Sequence, residues 1–169
     1  MSSIVTPPER VPEGPGALAG AELHWRALES LYASAPVNAL FRSTLVVTGE
    51  GHSRISFEVD GSVHHAAGAA HGTIYFKMLD DAAFYAANTL VTDRFLLTTS
   101  FNLHFSRPVK KGPIVAEGQW ISGRRRVLVA EARLVDAEGE EIGRGTGTFM
   151  RSRIALSGLA GYSNALRQG

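Results

Sequence analysis

Two adjacent carboxylates, Asp80 and Asp81, interrupt a run that is otherwise nearly all apolar from Gly72 to Thr89. Ile74, Tyr75, Phe76, Met78, Leu79, Ala82, Ala83, Phe84 and Tyr85 point in nearly every direction around a helix, and a helix apolar on all sides is buried. A carboxylate there is costly unless it is paired, solvated or used. Neighbouring helical residues point about 100° apart, so the two cannot face one pocket. Lys77 lies three residues before Asp80 and four before Asp81, and either spacing allows an ion pair. The pair could therefore sit with Lys77 at a water-facing edge. Alternatively, Asp80 is a pocket carboxylate tuned for nucleophilic or general-base work.

His71-Gly72 stands where this helix should start. A helix start offers unpaired N–H donors and a partial positive charge, and glycine lets a ligand come close to the backbone. A carbonyl placed there would be polarised and its oxyanion stabilised. The same two residues equally suit a plain helix start with His71 as a cap. His64, His65 and His71 do not have a metal-binding spacing fixed by a regular element, and no metal is expected. Arg124-Arg125-Arg126 opens a strand after Gly123; it could be a solvated edge or a cradle for phosphates. Gly143, Gly145 and Gly147 alternate within a strand, a pattern for close packing against another element.

The elements that must hold these groups follow from periodicity. Four prolines, Pro7, Pro8, Pro12 and Pro15, with Gly14 and Gly16, predict an extended or mobile arm over roughly residues 1–20. A short helix is expected from Glu22 to Ala33, limited by Pro36. Thr44–Thr48 and Arg54–Val59 read as a hairpin joined at Gly49-Glu50-Gly51. After the buried helix, period-two runs around Phe101–Phe105, Ile114–Ile121, Arg126–Val135 and Ile142–Met150 predict an antiparallel meander. The tail after Ala155 has no clear pattern. One buried helix and a set of curved strands make an α+β domain, expected over residues 21–155 with a tail over 156–169.

Bulk composition narrows the function. The 169 residues suit one domain, with 44% hydrophobic and 20% charged residues and a net charge of +1. That balance gives no reason to expect a nucleic acid or an anionic membrane as partner. The absence of cysteine excludes disulfides, thiolate metal sites and a cysteine nucleophile. The first 20 residues lack the apolar stretch of a secretory signal, and no run is long enough to cross a bilayer, so a cytoplasmic protein is expected. There is no Gly-x-Ser-x-Gly elbow, no Walker loop and no dinucleotide fingerprint.

Several pieces in order resemble one family. His71-Gly72-Thr73-Ile74, with Asp80 nine residues after the histidine, is similar to the signature of hotdog-fold acyl-CoA thioesterases of the PaaI-like, phenylacetate-pathway type. Phe101-Asn102-Leu103-His104-Phe105-Ser106-Arg107-Pro108-Val109 resembles the family's strand that leads into a proline. Gly123-Arg124-Arg125 and Gly145-Thr146-Gly147-Thr148-Phe149 are similar to its later strands. The likeness spans about Pro36 to Arg153.

That resemblance implies a hotdog fold, a long central helix wrapped by a curved antiparallel sheet. It also implies hydrolysis of an acyl-CoA to free acid and CoA, with no cofactor. Asp80 would be the nucleophile or base, and the Gly72 N–H would bind the thioester carbonyl beside His71. Thr98 would lie near the attacking water, and His65 stands where many members have asparagine. Thr73 replaces a usual second glycine at the helix start. Phe76, Phe84 or Met78 would help line the acyl pocket, and Arg124 and Arg125 would meet the CoA phosphates. Sites in such proteins form between two subunits, implying a homodimer as the minimal unit and often a homotetramer. The alternatives are a hotdog hydratase or dehydratase, and a non-catalytic acyl-CoA-binding module.

Overall fold

The structure, a computed structural model, describes residues 15–167, with side chains from residue 20 onward. The first helix, α1, spans Pro15–Ser34, so it begins earlier than the expected Glu22. Proline is favoured at a first helical position, where its missing N–H costs nothing and its φ is already helical. Of the expected arm, residues 1–14 lie outside the described residues, and residues 15–20 are helix. The same rule explains α2, Pro36–Phe41: Pro36 ends one helix and starts the next.

Strands β1 (Thr44–Gly49) and β2 (His52–Val59) form the hairpin, with Ile55, Phe57 and Val59 on the buried face. The central helix α3 spans Gly72–Asn88 and buries eleven of its residues. It is followed by β3 (Arg94–Phe105), β4 (Gly112–Ser122), β5 (Val127–Val135) and β6 (Glu141–Ala155). The six strands form one antiparallel sheet in the order β1-β2-β4-β5-β6-β3, bent around α3.

That order corrects the expected meander. Of the last four strands only β4, β5 and β6 are consecutive neighbours; β3 pairs with β6 at the far edge, Phe101 opposite Gly147. Wrapping a sheet around a helix separates β3 from β4. The connection from Ser106 to Lys111 bridges the gap and is pinned to the helix, where Tyr75 Oη accepts from Val109 N–H at 2.8 Å.

Glycines set the helix-to-sheet distance. A Cβ on Gly118 of β4 would lie 2.1 Å from the Ala82 carbonyl oxygen of α3, and Ser53 of β2 donates to that same oxygen at 2.6 Å. Gly145 and Gly147 make room for the Phe101 ring, which a Cβ would meet at 2.3 and 2.5 Å. The alternating glycines therefore do pack against another element. The tail is also ordered where described: α4 (Ala160–Leu166) packs on α1, and the buried His24 Nδ1 shares a 2.6 Å hydrogen bond with Tyr162 Oη.

Candidate active site

Lys77 resolves which carboxylate is paired. Its Nζ donates to Asn38 Oδ1 at 2.6 Å and makes a short ion pair with Asp81 Oδ2. It also lies 5.2 Å from the centroid of the Tyr32 ring and 5.4 Å from that of Phe41. The four-residue spacing wins over the three-residue one because α1 and α2 put Asn38, Tyr32 and Phe41 on that side of the helix. Asp81 is consumed by this pair.

Asp80 therefore has no cation of its own among the described residues. Its Oδ1 accepts from the Thr98 hydroxyl of β3 at 3.0 Å. Burial raises its pKa to about 6, opposed by the Thr98 hydrogen bond, with smaller opposite effects from Asp81 and Lys77. A carboxylate with that proton affinity is ionised at neutral pH yet basic enough to move a proton. It opens into a cavity of about 280 Å³ lined by Tyr32, Asn38, Phe84, Phe95, Leu97 and Thr98 among others. Phe84, Tyr85 and Phe95 make the apolar wall, with ring centroids 5.0 to 5.1 Å apart.

His71 and Gly72 stand at a second cleft, of about 510 Å³, shared with His65, Tyr75, Phe105 and Pro108. His71 is the helix cap: its Nδ1 accepts from Thr73 N–H at 3.1 Å and lies 3.0 Å from the Thr73 hydroxyl. Thr73 thus spends its amide and hydroxyl on the cap. The Gly72 N–H, the first of the helix, has no acceptor among the described residues. A Cβ on Gly72 would meet Phe105 Cε2 at 2.9 Å, so the backbone here lies tight against the end of β3. His65 caps its own loop, with Nδ1 accepting from Ala67 N–H at 3.1 Å. No group of three or more metal-ligating side chains is found among the described residues.

The structure thus separates the expected residues into two places. Asp80, Thr98 and Phe84 share one cavity; His65, His71 and Gly72 share another. Eight residues of helix between Gly72 and Asp80 correspond to about 12 Å of rise. Phe76 and Met78 line neither: Phe76 is exposed and stacks edge-on against Phe101, and Met78 is fully buried. Arg124 and Arg125 line neither as well. Arg124 lies 5.0 Å over the Trp120 ring and 3.6 Å from Glu50, at the hairpin turns. Sequence reasoning missed Tyr32, Asn38 and Phe95. The only hint was Asn38, a polar residue amid Val37, Ala39, Leu40 and Phe41.

Comparison with known proteins places this geometry. Residues 67–142 match the thioesterase superfamily model. The PaaI protein of E. coli, from its phenylacetic acid degradation operon, superposes with a TM-score of 0.73 at 17% identity, covering 80% of this chain and 97% of that one. The chain has the hotdog fold and resembles the PaaI-like thioesterases. A mutant of the phenylacetic acid degradation protein PaaI of Thermus thermophilus gives a TM-score of 0.63 at 23% identity, over 70% of this chain and all of that one. An esterase candidate of Saccharolobus solfataricus is 28% identical over 101 residues, 60% of this chain and 67% of its own. The part matched by the superfamily model includes Gly72, Asp80, Thr98 and Phe105, while Tyr32, Asn38 and His65 of the two clefts lie before it.

Proposed function

We propose that the protein hydrolyses acyl-CoA thioesters, with Asp80 as nucleophile or as base for a water. The observation that carries this is the largely buried Asp80 carboxylate, without an ion pair among the described residues, beside a cavity with an aromatic wall, with Lys77 held on Asp81. The Gly72 N–H, aided by the partial positive charge of the helix start, would polarise the thioester carbonyl and stabilise the oxyanion. CoA thiolate then leaves, and a proton reaches it through solvent. His71 fixes the helix start around that N–H, and the Asp80 cavity takes part of the acyl group. Its aromatic wall and size suit an aryl-acyl or medium-chain group.

Asp80 and Gly72 of one protomer serve different clefts, so each complete site pairs Asp80 with a Gly72 from a neighbour. The edge strand β3 supports this, because its outer edge has no partner among the described residues and it carries Thr98 and Phe105, one at each cleft. Pairing β3 with β3 of a second copy would extend the sheet and bring the two kinds of cleft together. A homodimer is then the minimal unit, and two dimers could form a tetramer. Arg124 and Arg125 would reach CoA phosphates only across such an interface. Cytoplasmic acyl-CoA is the substrate pool this reading implies. Among the described residues no helix is long and apolar enough to cross a membrane.

The test is free-thiol release from a panel of aryl and straight-chain acyl-CoA thioesters, run beside hydration of an enoyl-CoA. Stoichiometric thiol and acid support the proposal. Hydration without thiol release would make the protein a hydratase, and saturable binding without turnover would make it a binding module.

A further inference from the structure

The Asp80 cavity holds more charge than hydrolysis by one carboxylate requires. Facing Asp80 are Lys77, Asp81 and Tyr85 from its own helix, Tyr32 from α1, Asn38 from α2 and the Thr98 hydroxyl from β3. Lys77 is the one cation among the residues lining this cavity. Its position three residues before Asp80 allows it to reach that carboxylate instead of Asp81. What keeps it away is a two-point hold, Asp81 Oδ2 on one side and Asn38 Oδ1 at 2.6 Å on the other, with the Tyr32 and Phe41 rings beneath the ammonium.

We propose that Asp81 is a positioning residue for the reaction at Asp80: with Asn38 it sequesters Lys77, so the reacting carboxylate stays free of an ion pair. This rests on the proposed role of Asp80. An Asp80 paired to an ammonium would be a weaker base and nucleophile, and its lone pairs would point at Lys77 instead of the cavity. Asp81 is costly to bury, and its own pKa is raised by burial and lowered by Lys77. Sequestration gives that cost a use. Asn38 is buried, and its amide N–H₂ donates to the Tyr32 carbonyl at 2.7 Å, so its Oδ1 is aimed at Lys77 by a fixed side chain.

The experiment compares pH–rate profiles of thiol release for the full-length oligomer. In Asp81→Asn, Lys77 loses its carboxylate and turns to Asp80. The acid limb should move down by about one unit or more, and the plateau kcat should fall several-fold. In the double variant Lys77→Met/Asp81→Asn no cation is left to capture Asp80. The limb should return toward that of the wild type and most of the rate should recover. A purely structural role for Asp81 predicts a double variant no better than the single one, with the limb unmoved in both, and that result overturns the proposal. If Asp81→Asn does not fold, Asn38→Ala tests the other hold. It should shift the limb the same way by less, and an unmoved limb counts against the proposal. Asp80→Asn run alongside separates the failures: an active Asp80→Asn sinks the role of Asp80 itself. An inactive Asp80→Asn with an unmoved limb in Asp81→Asn sinks only the sequestration.

Discussion

The Thr98 hydroxyl donates to Asp80 Oδ1 at 3.0 Å and so joins the middle of the central helix to the edge strand. Burial lifts the carboxylate's proton affinity, and this hydrogen bond partly restrains the rise. Replacing Thr98 with Val removes the donor at nearly constant shape. The acid limb of kcat/KM, expected near pH 6 in the wild type, should move upward in Thr98→Val. Thr98→Ser keeps the hydroxyl and should stay near the wild-type limb. An unchanged limb in the Val variant would deny that this hydroxyl tunes Asp80.

Asp80 also costs the fold stability, and the sign is definite. Its folded pKa of about 6 lies above the ordinary 3.8. Below the lower value both states hold the proton and the carboxyl has no effect. Between the two the unfolded chain ionises first, so stability falls as pH rises, and above the upper value the penalty is complete. Asp80→Asn should therefore be more stable than wild type at pH 8, by about 1–2 kcal/mol after allowing for partial solvation. The gain should vanish by pH 4. Denaturant melts at both pH values measure it, and a gain that persists at pH 4 would point to another cause.

Lys77 and Asp81 are both mostly buried, so cutting the pair from one side leaves a charge stranded. Lys77→Met should cost about 2–4 kcal/mol at pH 7. Lys77→Met/Asp81→Asn should recover a clear part of that loss. Equal melts for the single and double variants would show that the pair contributes through packing alone.

Gly118 fixes how close the central helix lies to β4. Gly118→Ala drives a methyl into the Ala82 carbonyl, a backbone atom that cannot swing aside. It should destabilise by about 2–3 kcal/mol or more. The control is Gly139→Ala, at an exposed turn with open space but a φ of +80°, where only the backbone strain should register.

Much of this was legible in the sequence because it was periodic. The all-round apolar pattern of Gly72–Asn88 marked a buried helix, and alternating residues marked the strands; both depend on neighbours along the chain. What escaped depends on distant contacts. The place of β3 beside β6 is decided by the curvature of the sheet, which no local pattern records. Pro15 was read as a helix breaker although proline is well suited to a helix start. The tail after Ala155 looked patternless because α4 is short and docks on α1 through distant contacts, Tyr162 on His24 and Gly161 against Ser34. For the site, spacing left Lys77 free to choose between two aspartates. Asn38, on a helix 39 residues earlier, decides it.

The most direct test is kcat/KM for thiol release in Asp80→Asn against wild type at pH 8, using the best acyl-CoA of the panel and confirming the oligomer and its melt. The account predicts a fall of about 10²–10⁴-fold in a variant at least as stable as the wild type. Retained turnover in that folded variant would contradict it and move the chemistry away from Asp80.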